Sequence, residues 1–100
     1  MDMMKLMEQA QQMQAQMQAA QESLAAHTVT GTAGGGVVSV EADGQGNVRK
    51  VTIDPKVVDP ADVAMLEDLV TVAVADAQRR AAEVQQREMG KVTGGLQLPF

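Results

Sequence analysis

The chain is 100 residues long, which accommodates one domain. Its 45 % hydrophobic content excludes disorder throughout, and the absence of Cys excludes disulfides and thiolate metal sites. A net charge of −5 excludes a general basic coat for polyanions, so any nucleic-acid surface has to be local.

The first stretch, MDMMKLMEQAQQM, carries Asp2 and Glu8 and turns Gln-rich early. No signal peptide is expected from it, and no run approaches the roughly 20 apolar residues of a membrane span. From about Asp2 to Ala26 the chain lacks Gly, Pro and β-branched residues. Ala, Met, Gln, Leu and Glu are good helix formers, so one long helix is predicted over about 2–26. Met3, Leu6, Ala10, Met13, Met17, Ala20 and Leu24 recur in alternating steps of three and four. That is the heptad seam of a left-handed helix pair. The flanking positions are mostly Gln, which gives a soluble but nearly uncharged face.

The pattern then changes. His27-Thr28-Val29-Thr30 holds three β-branched residues and predicts a short strand, broken by Gly31 and by Gly34-Gly35-Gly36. Val37 to Ala42 predicts a second strand, with Val38, Val40 and Ala42 on one face and Ser39 and Glu41 on the other. Asp43-Gly44-Gln45-Gly46-Asn47 reads as a hairpin loop. Val48 to Ile53 is the return strand, with Val51 and Ile53 opposite Lys50 and Thr52. The strands, over about 27–53, form an antiparallel meander with one apolar face.

Asp54-Pro55 ends the sheet, and Asp59-Pro60 predicts the start of a helix over about 60–89, with Asp59 as N-cap and Pro60 at the first helical position. Leu66, Leu69, Val70, Ala73, Ala77, Ala81 and Val84 form its apolar stripe. Gly90 reads as its C-cap, and the Gly-rich residues 91–100 read as a flexible tail. The expected fold class is α+β: residues 1–90 form a single domain of long N-terminal helix, three-stranded antiparallel meander and long C-terminal helix.

A dimer follows from lengths. A first helix of about 25 residues is about 37 Å long. Strands of about six residues cover about 20 Å. Much of the Met seam therefore overhangs the sheet and needs another helix surface, which a second copy of the chain supplies by two-fold symmetry. Leu6, Met13, Met17 and Leu24 are the residues expected to carry this packing. The competing arrangement is a compact monomer with both helices folded across one sheet face.

Catalytic chemistry has no foothold. Gly34-Gly35-Gly36 lacks the Gly-Lys-Ser/Thr ending of a phosphate loop and lies between two strands. His27 is the single His, with no Cys or carboxylate cluster placed around it. Ser23 and Ser39 lack a paired base. Asp59, Asp62, Glu67 and Asp68 read as capping and first-turn charge. No enzyme activity, metal, cofactor or small-molecule substrate is expected.

The densest basic stretch is Arg79, Arg80, Arg87 and Lys91. Arg80 and Arg87 share a helix face, and Arg79 lies about 100° from Arg80. Cations so placed can neutralise phosphates, with release of counterions driving sequence-independent binding. The ordinary alternative is a solvated face with i,i+4 pairs such as Arg79–Glu83. Single-stranded nucleic acid calls for aromatic stacking platforms, and the one aromatic is Phe100. Duplex DNA is the better match.

Four blocks carry a family likeness: LMEQAQQMQAQMQ in the first helix, VTGTAGGGVVSVEADGQGNVRKVTIDP through the sheet, MLEDLVTVAVADAQRR in the last helix, and GGLQLPF at the end. In this order and spacing the chain resembles the YbaB/EbfC nucleoid-associated proteins along nearly its whole length. The resemblance implies a bacterial homodimer with helical arms projecting from a central sheet. It implies double-stranded DNA as partner, bound with little sequence specificity, and a cytoplasmic protein located at the nucleoid. It also implies effects on DNA conformation, nucleoid organisation and gene expression. One departure bears on the site. Family members often carry several Lys along the first helix, whereas here Lys5 is the only basic residue before Arg49. Either the grip is weak or the other helix carries it.

The expected DNA contacts are therefore Lys5, Arg79, Arg80, Arg87 and Lys91. The alternative function is a protein-interaction module, an adaptor to replication or repair proteins through the flexible Met seam and the tail, with DNA contact secondary.

Overall fold

The computed structural model describes residues 2–94. Helix α1 spans Met3–Ala26, strands β1, β2 and β3 span Thr28–Ala33, Val38–Asp43 and Val48–Ile53, a 3-10 turn spans Pro55–Val57, and helix α2 spans Val63–Gly94. The Asp2 carboxylate accepts the Met4 amide at 3.0 Å and caps α1. At the other end His27 adopts extended angles (φ −81°, ψ 136°) and donates its amide to Leu24. His27, expected to open the first strand, instead closes the helix.

The sheet is an antiparallel meander in the order β1-β2-β3. Val29, Gly31 and Ala33 of β1 face Ala42, Val40 and Val38 of β2, which in turn face Val48, Val51 and Ile53 of β3. The β2–β3 register skips Arg49 at a bulge opposite Glu41/Ala42. The β1–β2 hairpin turns through Gly34, Gly35 and Gly36 at φ 62°, 74° and 100°, a run of left-handed angles that side chains resist.

Gly31 does not break β1, as expected, but lies inside it. The reason is the helix above: Ala73, Ala77 and Ala81 of α2 are fully buried on the sheet, and small residues on both sides let the two backbones approach. The core joins Val29, Ala33, Val38, Val40 and Ala42 of the sheet to this Ala stripe, to Val84, and to Leu24 of α1. Leu66, Leu69 and Val70 pack at its margin, so the apolar stripe read from α2 is the one that buries.

Both ends of α2 differ from expectation. Asp59 accepts the Ala61 amide at 2.9 Å, and the Asp62 amide closes a turn onto the Asp59 carbonyl. With Asp59 and Pro60 spent on that turn, Asp62 takes the cap, accepting the Met65 amide at 3.2 Å. Gly90 does not end the helix, which continues to Gly94. Lys91 in the last turn suits the negative end of the helix dipole and pairs with Glu88 at 3.4 Å. Residues 91–94, expected in the tail, are thus helical, and residues 95–100 lie outside the described residues.

The molecule is elongated. Its radius of gyration is 19.5 Å and its extents are 70 × 25 × 16 Å. A compact chain of this length would have a radius of about 13 Å. The helices account for the difference, because both run far past the short strands.

Candidate nucleic-acid interface

Two structural units position the basic residues: the projecting helix pair, and the flank of the sheet where α2 passes β1. In the first, α1 packs against α2 and is buried only at its sheet-proximal end among the described residues. Of the seam residues, Ala20 and Leu24 are buried, whereas Leu6, Met13 and Met17 are 46, 37 and 45 % exposed. Leu6, Ala10, Met13 and Ala20 line an open cleft that Glu88 and Lys91 border on the α2 side. Lys5 lies near the tip of α1 and makes no ion pair among the described residues. Lys5 thus stands apart near the tip of α1, while Lys91 borders the cleft one helical turn beyond Arg87.

At the sheet flank, one carboxylate organises the arginines. Asp76 of α2 accepts the Thr32 amide of β1 at 3.0 Å. It also accepts Arg79 Nη2 at 2.8 Å and Arg80 Nε at 3.3 Å. The Thr32 amide, then the Arg79 guanidinium, then Arg80, hold the Asp76 carboxyl down at about 2 against the opposing effect of burial. Arg79 reaches a second acid, Glu83, at 2.8 Å, the i,i+4 pair read from the sequence. Its pKa is raised by Asp76 and Glu83 together. Arg79 is thus engaged by two acids and Arg80 by one, while Arg87 makes no ion pair among the described residues.

Sequence reasoning missed Asp76 and the part played by His27. The spacing of Asp76 from Arg79 and Arg80 is legible as helix pairing. Its bond to an amide 44 residues away is not. His27, Val29, Thr30, Arg80, Glu83, Val84 and Arg87 line one shallow groove at the junction of α1, β1 and α2. The Gln residues of α1 are exposed, and Gln21 accepts from Gln45 at 3.1 Å, tying α1 to the β2–β3 loop.

Among the described residues, no cluster of His, Cys, Asp or Glu could hold a metal ion, and no helix is long and apolar enough to cross a membrane.

Comparison with known proteins gives a concordant result. The pattern of the YbaB/EbfC DNA-binding family matches residues 1–96. A nucleoid-associated protein of Chloroflexus aurantiacus is 52 % identical over 96 % of each chain. One from Gemmatimonas aurantiaca is 46 % identical over 100 % of this chain and 96 % of its own. One from Saccharopolyspora erythraea is 53 % identical over 95 % of this chain and 82 % of its own. The crystal structure of uncharacterized protein HP0035 from Helicobacter pylori superposes with a TM-score of 0.82 at 22 % identity, covering 93 % of this chain and 98 % of that one, a likeness of fold.

Proposed function

Because the chain belongs to the YbaB/EbfC DNA-binding family, we propose that it is a nucleoid-associated protein that holds duplex DNA as a homodimer, through phosphate contacts and with little reading of base edges. The observation that carries the reading is that cations cluster on one stretch of α2 in a chain of net charge −5. Arg80, Arg87 and Lys91 are exposed there, and two copies would present the set twice. Lys5, at the end of the arm, adds a cation where a groove-spanning helix pair would meet the duplex. The relatives are named as nucleoid-associated proteins, which supports the DNA reading over the protein-adaptor reading. A cytoplasmic location at the nucleoid goes with it.

The dimer reading rests on two bare apolar surfaces. One is the outer Met seam of α1, with Leu6, Met13 and Met17 exposed. The other is β3: α2 packs on β1 and β2, and leaves Val48 and Val51 on the same sheet face 43 and 42 % exposed. A second copy covers such surfaces by two-fold symmetry.

Titration of labelled duplex DNA with the pure protein at low and physiological salt tests the function. Affinity should fall steeply, with a log–log slope of about −0.9 per phosphate neutralised. Arg80→Glu combined with Arg87→Glu should weaken retardation of the duplex. Salt-insensitive binding, or no binding in dilute buffer, contradicts the reading.

A further inference from the structure

The β1 strand forms one edge of the sheet, and among the described residues its outer side is hydrogen-bonded at one point, by Asp76. Because strand residues alternate, the Thr32 amide that meets Asp76 points away from β2, and so does the Thr30 amide two residues earlier. The α2 helix runs against β1. Asp76 stands beside Thr32, whereas Arg80, Glu83 and Arg87 share a groove with Thr30 and His27. Four helical residues rise about 6 Å. Two strand residues advance about 6.6 Å. One turn of α2 therefore matches one two-residue step of the edge, and Arg80 comes to the Thr30 amide much as Asp76 comes to Thr32.

The Asp76 site shows what this edge binds: an anion that accepts a strand amide and two guanidinium groups at once. One step along the edge a strand amide and cations meet again, with Arg80 already bonded to Asp76 through Nε at 3.3 Å and its neighbour Arg87 left without an acid among the described residues. The Thr30 amide is on the open edge, Arg87 has no ion pair among the described residues, and His27 borders the same groove. Among the described residues Glu83 is the one acid lining it, and its carboxylate is drawn to Arg79 at 2.8 Å. We propose that this groove, formed by the Thr30 amide, His27, Arg80 and Arg87, is a phosphate-binding site, filled by a phosphodiester group of the duplex backbone. The choice of ligand source rests on the DNA-binding reading above. The site itself rests on the edge amide and the cations around it. An edge amide fixed in the sheet gives the contact a defined position, which flexible arginines alone do not.

The test uses the full chain labelled with 15N, titrated separately with a short duplex and with inorganic phosphate in dilute buffer. The Thr30 amide resonance should move on addition of duplex. Arg87→Gln should lower duplex affinity about tenfold for each protomer engaged, the loss of one charge-assisted hydrogen bond apiece, and should reduce the salt slope by about 0.9 for each, or about 1.8 for the homodimer. His27→Gln should lower affinity by a smaller factor, and Lys56→Gln, an equal change of charge outside the groove, should leave the Thr30 response intact. A Thr30 amide unmoved by saturating duplex, or an Arg87→Gln protein that binds like the parent, overturns the site while leaving the DNA reading in place. If the parent fails to bind duplex but phosphate moves Thr30, the site stands with free phosphate as its source and the DNA reading falls. If neither ligand moves Thr30, the site is overturned.

Discussion

Gly31 of β1 lies directly beneath Ala77 of α2, so close that a Cβ on Gly31 would fall within contact of the Ala77 amide nitrogen and 2.7 Å from its Cα. Both obstacles are backbone, which no rotamer change can move. The helix would have to lift off the sheet, and with it the buried Ala73 and Ala81. Gly31→Ala should therefore destabilise the fold by about 3 kcal/mol, the upper range of overpacking. Gly35→Ala is the contrast: nothing lies within 4 Å of a Cβ there, and the cost is only the left-handed angle, about 1 kcal/mol. Thermal melts of the two variants check this, and equal losses would contradict it.

Acid should unfold the protein through two carboxylates. The Asp43 carboxyl is held down at about 2, chiefly by the Arg49 guanidinium at 2.7 Å and also by amides of Asn47 and Gln45. Asp76 is held at about 2 by Thr32, Arg79 and Arg80. Both folded-state values lie below the unfolded value of about 3.9. Their stabilisation is thus complete above that value and is lost as the pH falls toward about 2. Denaturant midpoints measured from pH 7 downward should hold until about pH 4 and then fall. Asp43→Asn with Asp76→Asn should flatten that decline, and an unchanged acid limb would refute the assignment.

On the proposed DNA reading, Asp76 competes with phosphate for the arginines while it serves the fold. Its carboxylate occupies Arg79 and Arg80, which a DNA phosphate would also seek. Asp76→Asn keeps an oxygen for the Thr32 amide but removes the charge that holds the arginines. The variant should melt at a lower temperature yet bind duplex several-fold more tightly at low salt. Tighter binding without lower stability, or the reverse, would separate the two roles assigned to this residue.

The apolar surface of β3 makes the oligomeric state testable at one position. Val51 is 42 % exposed, so Val51→Glu costs little within a protomer but places charge on the surface assigned to the second copy. Sedimentation should show the parent at twice the 10.6 kDa chain mass and the variant shifted toward the single chain. A parent that sediments as one chain removes the dimer from the mechanism. A Val51→Glu protein that stays dimeric moves the interface to the α1 seam.

Much of this architecture could be read from short windows of sequence. The Gly-free, β-branch-free run of α1, the alternation of β2 and β3, the GGG hairpin and the Ala stripe of α2 are all properties of neighbouring residues, because helix and strand periods act over a few positions. The Arg79–Glu83 pair belongs to the same class. The tertiary structure decided what neighbours cannot encode. It placed Gly31 inside a strand, because a helix from far along the chain needed its missing Cβ. It moved the α2 cap from Asp59 to Asp62, because a turn had claimed the first acid. It set the Asp76 carboxylate on the edge of β1 and left the next step of that edge open among His27, Arg80 and Arg87. Those relations depend on how closely and in which direction α2 crosses the sheet, a matter of packing between distant segments.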